Sequence, residues 1–236
     1  MHRAHKAAVL TLCLALFAMA AYADPITSTT SITVGDKTFY NFTCAIQTNS
    51  TTGGAIATPV SCSDLTVTGN TSPDGLFGIT IGGAFSASTL AALSTATEDV
   101  LITYDATTTG GALFSDVHMD FNGQATGLAL ASVTETVNNL ANPFQLLGQI
   151  TVDTGSPLTS LTAFANLTSQ VSGISVSKDI LLAAVSNPNT NPFSSATISF
   201  IHQNFSQVPE PASLTLLGAG LLGLASLIRR KTSPRK

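Results

Sequence analysis

A period of two constrains this chain more than any other feature. Phe77, Ile79 and Ile81 fall at alternate positions, as do Val100, Ile102 and Tyr104, and Val117, Met119 and Phe121. Tyr40, Phe42, Cys44 and Ile46 repeat the spacing, and Ile198 and Phe200 do so within the last run. Successive side chains on a strand point to opposite faces, so each set is expected to line one face of a half-buried strand. Thr and Ser fill many of the intervening positions. Turn signals separate the runs at Thr51-Thr52-Gly53-Gly54, Pro73-Asp74-Gly75, Gly110-Gly111, Asn122-Gly123, Gly155-Ser156-Pro157 and Asn187-Pro188. The pattern predicts an all-β domain, an antiparallel β-sandwich or a barrel. One stretch departs from it: Ser86 to Thr97 (SASTLAALSTAT) reads as a short helix. No fixed repeat is visible, which argues against a solenoid or propeller.

Two apolar segments bracket this domain. Arg3 and Lys6 precede the run Ala7 to Ala20, and the small residues Ala21 and Ala23 frame a cleavage point before Asp24. That is the pattern of a signal peptide, an N-terminal helix removed on export by the Sec pathway. A membrane span needs about 20 apolar residues, more than this run supplies. At the other end, residues 212–228 are uncharged and reach the spanning range of roughly 17 to 25 residues. Arg229, Arg230 and Lys231 follow at once, with Arg235 and Lys236 behind them. Cations of this kind stay on the cytoplasmic side, because carrying them through hydrocarbon is costly. The expectation is a C-terminal transmembrane helix with the domain outside. Three units result: 1–23 as signal peptide, 24–207 as exported domain, and 208–236 as span and basic tail.

Val208-Pro209-Glu210-Pro211, the apolar span and Arg229-Arg230-Lys231, in that order, resemble the PEP-CTERM protein-sorting signal. The resemblance implies a protein of Gram-negative bacteria that export polysaccharide. It also implies exosortase as a partner, a membrane-embedded cysteine transpeptidase-like enzyme that acts near the Pro-Glu-Pro motif and releases or transfers the protein toward the cell surface. The residues have their own logic. Two prolines fix φ and remove backbone donors, so the segment continues neither strand nor helix and stays extended beside the bilayer.

Charge narrows the exported part further. Residues 24–207 hold only Lys37 and Lys178 against twelve carboxylates, a net −10 that the basic ends mask in the whole-chain value of −4. Nucleic acid is therefore an unsuitable partner. Cys13 leaves with the signal peptide, and Cys44 and Cys62 are expected to pair in the oxidising compartment outside the cytoplasm.

Chemistry is sparse. Asp116, His118 and Asp120 alternate with Val117, Met119 and Phe121, which places three polar groups on one strand face about 7 Å apart. Together with Asp105, provided its strand pairs alongside, they form the candidate metal site, calcium being the ion best matched to an acidic domain; the competing reading is the wet face of a half-buried strand. Asp153-Thr154-Gly155-Ser156 is similar to the active-site loop of aspartic proteases, but such sites need two carboxylates and the chain has one copy. His118 and His202 lack the G-x-S-x-G elbow of a serine hydrolase, and His202 continues the face of Ile198 and Phe200 as the end of a core strand. Asn-x-Ser/Thr sites occur at Asn41, Asn49, Asn70, Asn166 and Asn204. The pairs Thr66/Thr68, Thr107/Thr109 and Thr134/Thr136 echo ice-binding faces without a regular stack. The expectation is a non-enzymatic, exported surface or matrix protein, structural or adhesive and linked to exopolysaccharide. The alternative is a binding module for polysaccharide or calcium.

Overall fold

The computed structural model describes residues 24–51, 54–59, 61–154, 159–187, 193–208 and 219–221. Within them two antiparallel sheets pack face to face. One has nine strands: β1 (Asp24–Pro25), β4 (Ala55–Thr58), β5 (Thr66–Thr71), β6 (Phe77–Thr89), β8 (Leu113–Phe121), β9 (Gln124–Thr126), β13 (Thr162–Val171), β15 (Ser194–Phe205) and β16 (Gln207–Val208). The other has seven: β2 (Ser31–Val34), β3 (Lys37–Ser50), β7 (Thr95–Thr108), β10 (Leu128–Asn139), β11 (Asn142–Thr154), β12 (Thr159–Ser160) and β14 (Gly173–Val185). The first runs β1-β5-β6-β15-β8-β13, with β4 on β6, β9 on β15 and β16 on β8. The second runs β12-β11-β10-β14-β7-β3-β2. The sheets end in edge strands and do not close on one another, so the architecture is a sandwich and not a barrel.

Alternation builds the core. Ala96, Val100, Ile102, Tyr104 and Ala106 of β7 and Ile174, Val176, Ile180 and Leu182 of β14 point inward from the seven-stranded sheet. Ile79, Ile81, Val117, Met119, Phe121 and Ile201 meet them from the other. Each fully buried large apolar side chain contributes roughly 1.5 to 3 kcal/mol. Phe39 joins the sheets at one end, with Tyr104 and Phe205 at centroid distances of 6.2 and 6.1 Å. Cys44 on β3 is bonded to Cys62, in the 3-10 turn Cys62–Asp64, with Cα atoms 6.0 Å apart. The bond ties the seven-stranded sheet to the segment that enters β5. The β2–β3 hairpin turns on Gly35-Asp36, and Gly35 at φ +60° supplies the left-handed conformation a two-residue turn requires.

Three local expectations are corrected. Ser86 to Thr97 is not helical: β6 runs through Thr89 and β7 starts at Thr95. Ala87 pairs with both Ala57 and Ala196, and ladder pairing on two sides outweighs the weak helix preference of a Ser/Ala/Thr run. Tyr40 does not share the face of Phe42, Cys44 and Ile46. A bulge with Asn41 at φ 56° inserts a residue, so Phe39 points inward and Tyr40 lies outward opposite Asp105. A second irregularity between Ile198 and Phe200 turns Phe200 and His202 to the outer face, so Ile201 and not His202 continues the core.

The predicted signal helix, with Ala21 and Ala23, lies outside the described residues, as do Pro209, Glu210, Pro211 and the cluster Arg229, Arg230 and Lys231. Of the predicted span 212–228, residues 219–221 are described and are helical. Among the described residues no helix is long and apolar enough to cross a membrane.

Candidate functional site

A polar surface that also carries aromatic rings is the outer face of the nine-stranded sheet where β6, β15, β8 and β13 run side by side. The phase that buries Val117, Met119 and Phe121 turns Asp116, His118 and Asp120 outward. Register stacks these into rows. Thr68, Thr80, His202, Asp120 and Thr162 form one; Asn70, Gly78, Asn204, His118 and Phe164 form the next. His118 Nε2 lies 3.1 Å from Asp116 Oδ1 and its ring rests on Phe164 at 4.7 Å. Phe164 is 54% exposed, a large apolar ring offered to solvent beside polar groups. One row over, the His202 ring packs on Phe200 at 4.5 Å while Nδ1 meets Thr80 Oγ1 at 2.7 Å. A shallow depression of about 340 Å³ is lined by His118, Met119, Asp120, Thr162, Ala163 and Phe164. Two ring pairs thus flank a carboxylate on one flat, open surface.

The four residues expected to ligate a metal do not converge. Asp116 accepts the Ser206 backbone N–H at 3.0 Å through the same Oδ1 that faces His118. Asp120 stands further along the strand, beside His202 and Thr162. Asp105 is on β7 of the opposite sheet, accepting from Asn41 Nδ2 at 2.8 Å. Period two placed the first three on one face but said nothing of which strands pair. Among the described residues no group of three His, Cys, Asp or Glu side chains is arranged to hold an ion.

Other candidates disperse too. Asp153 lies on β11 opposite Ser132 and Ser160, with Gly155 and Ser156 outside the described residues. Thr66 and Thr68 belong to one sheet and Thr107, Thr134 and Thr136 to the other, so the three threonine pairs do not make one face. Asn204 is 5% exposed, which removes it as a glycan acceptor. Val208 pairs with Leu113, so the candidate sorting motif begins where the sheet ends.

Sequence reasoning missed the polar groups of the interior. Lys178, Glu135 and Gln203 are each 0% exposed. Lys178 Nζ donates to Glu135 Oε2 and, at 2.8 Å, to Gln203 Oε1. Burial is the main cause of both shifts: it lowers the lysine pKa and raises that of the glutamate, each toward its neutral form. Tyr104 is pushed up by burial and then by the nearby Glu135. Glu98, on the inner face of β7, accepts the Ser86 N–H at 3.1 Å, and burial pushes its carboxyl up to about 8. The signal was there. Lys178 falls in phase with Ile174, Val176, Ile180 and Leu182, and Glu135 with Ala131, Val133 and Val137.

No curated protein matches the sequence. Among solved structures, the module TmCBM61 in complex with beta-1,4-galactotriose is 5% identical, covering 68% of this chain and 88% of that chain with a TM-score of 0.26. The family 11 carbohydrate-binding module from Clostridium thermocellum, in complex with a mixed-linked tetrasaccharide, is 10% identical over 74% of this chain and 96% of that chain, TM-score 0.19. The enzymatically active domain of bacteriophage CBA120 tailspike protein 4 is 13% identical over 70% of this chain and 19% of that chain, TM-score 0.27. Scores this low carry no argument about function. The family match is of another kind, because it falls on the terminal motif itself: residues 207–231 carry the PEP-CTERM protein-sorting motif, which marks the chain for exosortase-dependent sorting to the cell envelope.

Proposed function

We propose that this is an adhesive envelope protein that holds exopolysaccharide through the outer face of its nine-stranded sheet. In this reading the Sec pathway exports the chain, residues 212–228 anchor it, and exosortase acting near Pro209-Glu210-Pro211 delivers the sandwich to the surface. The observation that supports it is the pairing of Phe164 with His118 and of Phe200 with His202 around Asp120. Sugar rings present apolar C–H faces that pack on aromatic rings and hydroxyls that bond carboxylates and imidazoles. The net −10 of residues 24–207 favours an uncharged glycan over an acidic one. Ser206 Oγ and Asp116 Oδ1 both approach the same nitrogen of His118, Nε2, at 3.4 and 3.1 Å, whereas a nucleophilic relay needs them on opposite ring nitrogens, so binding without turnover is the reading we adopt.

The test is co-sedimentation of the purified protein with exopolysaccharide stripped from the producing cells. Phe164→Ala with His118→Ala should weaken retention at least about tenfold, the size of losing one well-packed ring contact of roughly 1.5 kcal/mol. Retention unchanged by the double substitution, in protein that remains folded, removes this face from the function.

A further inference from the structure

Lys178, Glu135 and Gln203 meet at the centre of the sandwich. Glu135 and Lys178 sit directly opposite each other on β10 and β14, and Gln203 reaches across from β15 in the facing sheet. The amine is held by Glu135, by Gln203 Oε1 at 2.8 Å and by the Met119 sulfur at 3.2 Å. The glutamine amide is itself oriented, because its Nε2 donates to the His118 carbonyl at 2.9 Å. Its carbonyl oxygen therefore faces the lysine, and the carbonyl carbon lies one bond beyond an atom the amine already touches.

As a device for stability alone this cluster is a poor choice. Desolvating an ammonium and a carboxylate costs about as much as their attraction returns, and apolar residues of similar size often serve as well. As a reaction centre it is complete. Burial favours the neutral amine, which is the nucleophile, and the protonated carboxyl, which is a proton donor. Reacting groups held in contact in a dry site gain the advantage of proximity.

We propose that Lys178 and Gln203 condense into an intramolecular isopeptide bond that joins the two sheets through the core, with Glu135 as the catalytic proton carrier. Lys178 Nζ attacks Gln203 Cδ, forming the Nζ–Cδ bond. Glu135 gives its proton to Nε2 and takes one from Nζ in its place; the Cδ–Nε2 bond breaks and ammonia leaves. One hydrogen moves from Nζ to Nε2, no electrons are gained or lost, and no co-reactant is needed. The product is a secondary amide in a place that otherwise holds a free amine. The proposal is independent of the glycan-binding reading.

Trypsin reads this bond directly, since Lys37 and Lys178 are the only Lys or Arg between residues 24 and 208. The membrane-extracted protein is reduced, denatured, digested and weighed. The expected result is loss of the cut after Lys178. Residues 38–178 and those that follow should then stay in one fragment, lighter than its sequence by one ammonia. Glu135→Gln should restore both the cut and the full mass. Quantitative cleavage after Lys178 with full mass overturns the proposal, and so does a deficit of one water, which would put the bond on Glu135. The wild-type mass decides whether or not the variant folds.

Discussion

Replacing Glu98 with glutamine removes a titration that the sandwich pays for throughout the neutral range. Glu98 is 0% exposed on the inner face of β7 and its Oε2 accepts the Ser86 N–H. Burial moves its pKa from 4.5 to about 8. Between those limits the folded chain binds a proton that the unfolded chain has released. Stability is therefore full below the unfolded value and falls as pH rises, at about 1.4 kcal/mol per unit. The whole window corresponds to roughly 5 kcal/mol, and the part lost by pH 7 to about 3 kcal/mol. The Glu98→Gln side chain keeps an oxygen for Ser86 and does not titrate. The variant should match the wild type near pH 4.5 and exceed it by about 3 kcal/mol at pH 7. Urea unfolding midpoints of both proteins at half-unit steps from pH 4.5 to 9 measure the gap. A gap that stays constant with pH would refute the reasoning, since it would mean that the Glu98 carboxyl binds protons equally in both states.

Two further substitutions probe the frame. Cys44→Ser with Cys62→Ser opens a loop with a sequence separation of 18, and the chain-entropy relation puts the loss near 3 kcal/mol, read as a fall in thermal midpoint. Gly78→Ala should be more disruptive than its single methyl suggests, because a Cβ there would lie 1.7 Å from the Gln203 carbonyl oxygen. β6 and β15 would have to separate; we expect a cost above about 2 kcal/mol and a tryptic cut restored after Lys178, checked by urea unfolding and mass spectrometry.

Much of the fold was legible where one phase of a strand is apolar and the other polar. The run through Asp116, His118 and Asp120 reads unambiguously, and its outward face is where the structure puts it. Legibility failed where both phases carry large side chains. Phe39 and Tyr40 are adjacent, as are Phe200 and Ile201, so a single inserted residue reverses the assignment without changing the composition. Partners were hidden for a different reason. Glu135 and Lys178 are 43 residues apart and Lys178 and Gln203 are 25 apart, and no local pattern says that such strands will be neighbours. The aromatic surface needed both kinds of information, since Phe164 and His118 meet only through the β13–β8 register.

The positions of β14 and β15 bear on how this molecule comes to exist. Each sits in the interior of its sheet, β14 between β10 and β7, β15 between β6 and β8, yet both belong to the last third of the chain. Emerging N-terminus first, the polypeptide presents many flanking strands before either keystone arrives. Until then β6, β7, β8 and β10 have open edges that other chains can occupy. Assembly must wait for the segment next to the sorting motif, so in the proposed reading the two sheets close only as the tail that would anchor the protein is about to follow.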